Sequence, residues 1–203
     1  MSFPLIFRVR DARRAFTLIE LLTVIAIIGI LAAITFGVVK GVQERAAVQQ
    51  ARTELAVISQ ALEAYKRLYG DYPQTASGAA NSATATSASA TDRPGILFNA
   101  LVGKRGPLAV ENKINGKALI ELGKFTVQST TAADLPDNTA ETKPNALVDP
   151  WGRRYLYSYK AGVWNNPSFI LYSVGPDGLD TPPVNGIMDA AGTNNSDNLY
   201  ANR

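Results

Sequence analysis

The stretch RRAFTLIELLTVIAIIGILAAITFGVVK, residues 13–40, restricts the chain more than any other. From Leu21 to Val39 there are 19 consecutive uncharged side chains, with Thr23 and Thr35 the only hydroxyls among them. A helix of that length spans roughly 28 Å, close to a hydrocarbon core of ~30 Å, so the direct expectation is a transmembrane helix. An ordinary secretory signal has a shorter apolar core followed by a small-residue cut site, a role that Ala32 and Ala33 could imitate. Here another small residue, Ala15, stands before the run. A cut there discards residues 1–15 and leaves the apolar segment at the new N-terminus.

Glu20 is the anomaly in this run. An unpaired carboxylate in an apolar setting costs several kcal/mol, so it must be protonated, near water or paired. A chain beginning at Phe16 carries an α-amine, and that amine on a neighbouring copy would supply the missing charge during assembly. The acid also stands in the first turns of the helix, where unpaired amide donors favour it.

Charge and composition narrow the function classes. The formal charge is +3, and the excess lies wholly in residues 1–15, where Arg8, Arg10, Arg13 and Arg14 face only Asp11. The rest of the chain is balanced, so the basic excess reads as a flank kept on the cytoplasmic side rather than as a nucleic-acid footprint. Two small basic groups, Lys104 with Arg105 and Arg153 with Arg154, read as solvated surface pairs, and no nucleic acid is expected as a partner. There is no cysteine and no histidine. Disulfides, thiolate chemistry, imidazole bases and most zinc or iron sites are thereby excluded. No acid pair stands on an evident rigid pocket, so no enzyme is expected.

Beyond Lys40 the pattern becomes a stripe. Ala51, Leu55, Ile58, Leu62, Tyr65 and Tyr69 recur at helical spacing, with Arg52, Glu54, Glu63, Lys66 and Arg67 on the wet side. The helix is expected to continue through 40–73, to a stop at YGDYP, residues 69–73, where Gly70 and Pro73 break it. Residues 74–92 are rich in Ala, Ser and Thr and read as a surface loop. Residues 74–203 form a head. GILFNALVG, 95–103, reads as a short helix burying Ile96, Leu97, Leu101 and Val102, and 118–128 as a strand or two short ones. Tyr155, Tyr157 and Tyr159 alternate, as do Phe169 with Leu171 and Ile170 with Tyr172 and Val174, which predicts an antiparallel pair. A loop, 175–203, closes the chain. The fold expected is α+β: one long N-terminal helix, its lower half (16–39) transmembrane, packed against a small antiparallel sheet.

The basic leader, FTLIE and the long apolar run resemble the signal of type IV pilin-like prepilins. The resemblance implies a prepilin peptidase/methyltransferase that cuts between Ala15 and Phe16 and methylates Phe16, with Glu20 as the acid that guides subunit docking. Two departures stand out: Ala15 replaces the family's usual glycine before the cut, and Gly37 stands where a helix-kinking proline is common. The order DPWG, YLYSY, FILYSVGPDG within 148–178 resembles in particular the major pseudopilin of type II secretion. By that resemblance the chain is a structural subunit that self-assembles into a helical filament, a pseudopilus supporting protein export across the outer membrane. It would lie in the bacterial inner membrane in a single pass, N-terminus cytoplasmic and head periplasmic. Its partners would be an inner-membrane assembly platform, a cytoplasmic ATPase, minor pseudopilins and an outer-membrane secretin. A type IV pilin subunit, for adhesion, motility or DNA uptake, is the competing function. The family's last loop binds calcium, which carries over to Asp177 in GPDG and Asp197 in NNSDNLY, with Asp180 as an additional candidate ligand; Asp189 has no clear place. A metal-free loop held by aspartate hydrogen bonds is the alternative.

Overall fold

A computed structural model describes residues 16–83, 92–110, 112–128 and 144–201; inside its first helix, the side chains of residues 34–40 are not described. The chain divides into two compact units, Met1–Gln43 and Glu44–Arg203. In the first unit the described residues are the opening turns of helix α1, Leu18–Tyr69.

In the second unit the expected stripe faces a core. Ala51, Leu55, Ile58, Leu62 and Tyr65 are at most 1% exposed. Gly70 ends the helix at φ +85°, its N–H donating to Lys66 O at 2.8 Å, a left-handed cap that glycine adopts without Cβ strain. Helix α2, Arg93–Leu101, starts where Asp92 accepts the Gly95 N–H at 2.7 Å, with Pro94 in its first turn.

The strands form two small antiparallel sheets. β1 (Thr126–Gln128) pairs with β2 (Ala146–Val148), and β3 (Leu156–Ser158), β4 (Ile170–Ser173) and β5 (Leu199–Tyr200) follow in that spatial order. Register sets Leu156 opposite Tyr172 and Ser158 opposite Ile170. The two sheets touch through an isolated bridge between Val148 and Arg154. Alternation then sorts the side chains. Tyr155, Tyr157, Tyr159, Phe169 and Leu171 join Leu55, Ile58 and Leu62 of α1 and Leu97, Phe98 and Leu101 of α2 in the main core. Leu156, Ile170, Tyr172 and Val174 form a second cluster on the opposite face, closed by Ala83, Trp164, Met188 and Tyr200. The α+β fold with a long helix on a small antiparallel sheet is thus as expected, with both sheet faces covered rather than one.

The transmembrane half of that expectation is corrected. Among the described residues no helix is long and apolar enough to cross a membrane, which also overturns the single-pass inner-membrane placement.

Smaller differences have local causes. Of 118–128, only Thr126–Gln128 is a strand, because pairing begins where Val148 is available opposite Thr126; Leu122–Lys124 is a 3-10 turn. Residues 74–83 are tied down rather than loose. Thr75 N–H and Oγ1 both donate to Tyr159 O at 2.9 Å, and Ala83 O accepts the Arg154 N–H at 3.1 Å, so main-chain bonds supply what composition lacks. Residues 84–91 of the expected loop lie outside the described residues.

Candidate functional site

The first candidate site is the start of α1. Glu20 Oε2 accepts the Thr17 N–H at 2.9 Å and the Thr17 hydroxyl at 2.8 Å, while Glu20 N–H donates back to Thr17 Oγ1 at 3.3 Å. This is a capping box, in which the acid satisfies a donor that the helix leaves open. The Thr17 amide, and then its hydroxyl, hold the Glu20 carboxyl below its ordinary range, so it is ionised at neutral pH. Its pattern, TLIE, is in the sequence, which placed the acid in the first turns among unpaired amide donors as well as opposite a neighbouring copy's amine. Phe16 is 81% exposed, and the large apolar side chains from Leu18 to Leu31 are 48–81% exposed. Such a contiguous apolar surface on a single chain marks an interaction face. Ala15, the other half of the expected cut, lies outside the described residues.

The second candidate site is the C-terminal loop. It hangs from the DPWG turn, where Asp149 Oδ1 accepts the N–H groups of Trp151 (3.0 Å) and Arg153 (2.9 Å) and Asp149 Oδ2 accepts the Ser173 hydroxyl at 2.6 Å. Ser173 Oγ in turn accepts the Gly175 N–H at 3.1 Å. Beyond it, Asp177 donates its N–H to Asp197 Oδ2 at 3.2 Å and accepts the Leu179 N–H on Oδ1 at 2.8 Å. Asp177 and Asp197 are therefore brought together, as the resemblance implied. Asp180 points elsewhere, accepting the Tyr172 hydroxyl at 3.0 Å; burial raises its carboxyl, against the pull of Tyr172 and Asn198. Among the described residues no three acids, histidines or cysteines gather to hold a metal. Asp197 Oδ1, however, is shielded from solvent without a hydrogen-bond partner. A shielded acid oxygen without a partner, on a residue whose other oxygen meets the Asp177 N–H, suits a hard cation, whose shell needs few side chains.

Three residues that organise this region were missed. Asn195, 1% exposed, accepts the Thr181 N–H at 2.8 Å and donates to Asp189 O at 2.8 Å and Thr181 O at 3.1 Å; nothing in TNNSDN distinguishes it from its neighbours. Arg154 is 1% exposed, paired with Asp92 Oδ2 at 3.0 Å and bonded to Gln128 Oε1 at 2.6 Å. Arg153 donates into the loop itself. Lys104 and Arg105 are also buried, at 8% and 2%, so the two basic groups are not solvated surface pairs. Glu54 likewise leaves the wet side, at 8% exposed, to accept the Tyr155 hydroxyl at 2.7 Å.

Comparison with known proteins fits this layout. Residues 10–36 match the prokaryotic N-terminal methylation motif, and residues 38–99 match type II secretion system (T2SS) protein G. The type II secretion system core protein G of Escherichia coli (strain K12) is 38% identical over 71 residues, covering 35% of this chain and 49% of that protein. The chain thus spans about half the length of the curated relative it matches, and no solved structure matches it. Over part of its length the chain is homologous to T2SS protein G.

Proposed function

We propose that the chain is the major, protein-G-type structural subunit of a type II secretion pseudopilus, which supports protein export across the outer membrane. The observation that carries this reading is the start of α1: an ionised Glu20 beside Phe16, followed by a continuous exposed apolar face, within the segment that matches the methylation motif. Burying one leucine or isoleucine side chain contributes about 1.5–3 kcal/mol, so α1 segments laid side by side have a large driving force to associate. That force is non-directional. Direction comes from charge: once a prepilin peptidase/methyltransferase has cut between Ala15 and Phe16, the Phe16 amine of one copy pairs with Glu20 of the next and sets the axial step.

The chain holds no phosphate-binding loop, so energy enters through a partner ATPase acting on an assembly platform. Minor pseudopilins and a secretin complete the partner set. Calcium is proposed as a ligand of Asp177 and Asp197, with loop carbonyls filling the shell. When bound, it supplies charge neutralisation between the two acids. Asp180 stays an additional candidate: its Oδ2 holds the Tyr172 hydroxyl, while its Oδ1, like that of Asp197, is buried without a partner.

The test is Glu20→Ala in cells that assemble filaments. Full chain level with loss of most filaments in electron micrographs is expected, and mass spectrometry of the wild-type N-terminus should find methylated Phe16. Wild-type filament yield from Glu20→Ala, or a chain that retains residues 1–15 in the filament, overturns the reading.

A further inference from the structure

The C-terminal loop already contains a cation. Arg153 Nη1 donates to Gly175 O at 2.7 Å and to Pro176 O at 3.2 Å, so one charged nitrogen gathers two successive loop carbonyls. The rest of the guanidinium lies against Gly178. A Cβ on that residue would stand 2.5 Å from Arg153 Cζ and Nε and 2.6 Å from Nη2, and Gly178 has φ +74°. The positive φ disfavours a side chain at position 178, and a Cβ there would push the flat cationic group from the space it occupies. The anchor of this arm is fixed. Asp149 accepts the Arg153 N–H at 2.9 Å, and Asp149 N–H donates to Arg153 O at 2.7 Å.

We infer that Arg153 is the positioning residue of the 175–178 turn: its guanidinium gathers the turn's carbonyls and sets the turn's shape. A guanidinium suits the task because it is planar, charged at every relevant pH and weakly hydrated, whereas an ammonium is a compact, strongly hydrated point charge. The inference does not depend on the filament reading, and its test involves no filaments.

The experiment is amide hydrogen exchange on the full chain in mild detergent, with EGTA or with calcium chloride, for wild type, Arg153→Gln and Arg153→Lys. The readout is exchange at the Asp177 and Leu179 amides, which donate within the loop. Wild type should exchange slowly there in both buffers. Arg153→Gln in EGTA should exchange at least about tenfold faster, the loss expected for charge-assisted bonds to carbonyls. Arg153→Lys should fall between, because it restores a charge without the flat group over Gly178. Wild type exchanging in EGTA as fast as Arg153→Gln, or Arg153→Gln as protected as wild type, overturns the inference. Should Arg153→Gln lose its circular dichroism signal, Arg153→Lys decides. Faster exchange at Asp177 and Leu179 with β4 still protected supports the role, and uniform loss or no change overturns it.

Discussion

Two tyrosines, Tyr155 just before β3 and Tyr157 within it, give a controlled measurement of what a buried hydroxyl contributes to this fold. Tyr155 and Tyr157 are both 0% exposed and both belong to the main core. Tyr155 donates to a carboxylate, Glu54 Oε2, and Tyr157 to a carbonyl, Pro73 O, each at 2.7 Å. Phenylalanine removes one oxygen in either place and leaves the ring packing intact. A hydrogen bond to a charged group contributes about 1.5–3 kcal/mol, and a neutral one about 1 kcal/mol. Removing the Tyr155 hydroxyl also leaves Glu54, itself 8% exposed, with one donor fewer: Gln50 Nε2 still reaches its Oε1 at 2.8 Å, but nothing replaces the bond on Oε2. Tyr155→Phe should therefore destabilise the head by about 2 kcal/mol and Tyr157→Phe by about 1 kcal/mol. Urea unfolding of the full chain in detergent, followed by Trp151 and Trp164 fluorescence, measures both. The Glu54→Gln, Tyr155→Phe cycle should return a coupling above about 1 kcal/mol, as expected for partners in contact. Equal losses in the two single variants, or a stabilised Tyr155→Phe, would show that Glu54 is better hydrated than its burial implies and refute the reasoning.

Asp71 gives a pH signature. Burial pushes its carboxyl up, but Lys160, Tyr159, Gln74 and the Tyr72 N–H outweigh this and hold it at about 2, below the ordinary 3.8. A depressed carboxylate stabilises the fold above its unfolded value and loses that contribution as pH falls toward the folded one. Acid titration should show wild type losing stability between about pH 4 and 2, and Asp71→Asn should flatten that slope. Leu62→Ala, at a fully buried position of α1, should cost about 3 kcal/mol in the same urea assay; a loss below 1 kcal/mol would mean that α1 is not fixed on the sheet.

The apolar architecture was readable because periodicity reports burial. The α1 stripe up to Tyr65, the Tyr155 to Tyr159 alternation and the α2 positions Ile96, Leu97 and Leu101 became core, with Tyr69 and Val102 half-buried, for they repeat at the spacing of the element that buries them. Polar burial has no such period. Arg153 and Arg154 look alike in the sequence, yet they part just before β3, where Arg154 makes an isolated bridge to Val148. One arginine enters the interior toward Asp92 and the other reaches the 175–178 turn. Which face is wet depends on what covers the second side of the sheet, namely Ala83, Trp164, Met188 and Tyr200. Those residues come from distant segments, and β5 is only two residues long, too short to leave a pattern. At the candidate sites, Asp177 and Asp197 were reached through family resemblance, whereas Asn195 left no signal.

Glu20 shows how one acid can serve both a lone chain and a filament. Both bonds of its capping box fall on Oε2, since the Thr17 amide and hydroxyl converge there. The carboxylate has about four acceptor sites on its two oxygens, so Oε1 stays open to a further donor. The cap also keeps the group ionised, and only an ionised acid attracts an ammonium. In the proposed filament an incoming Phe16 amine thus meets an acceptor that is already charged, and does so without breaking the first turn of the helix. Thr17 separates these roles. Thr17→Val removes the hydroxyl bond but leaves the backbone donor, so Glu20 should titrate closer to its ordinary value. If the cap prepares the acid for assembly, Thr17→Val should lower filament yield less than Glu20→Ala does, and an effect equal to that of Glu20→Ala would show that Thr17 itself contacts the neighbouring copy.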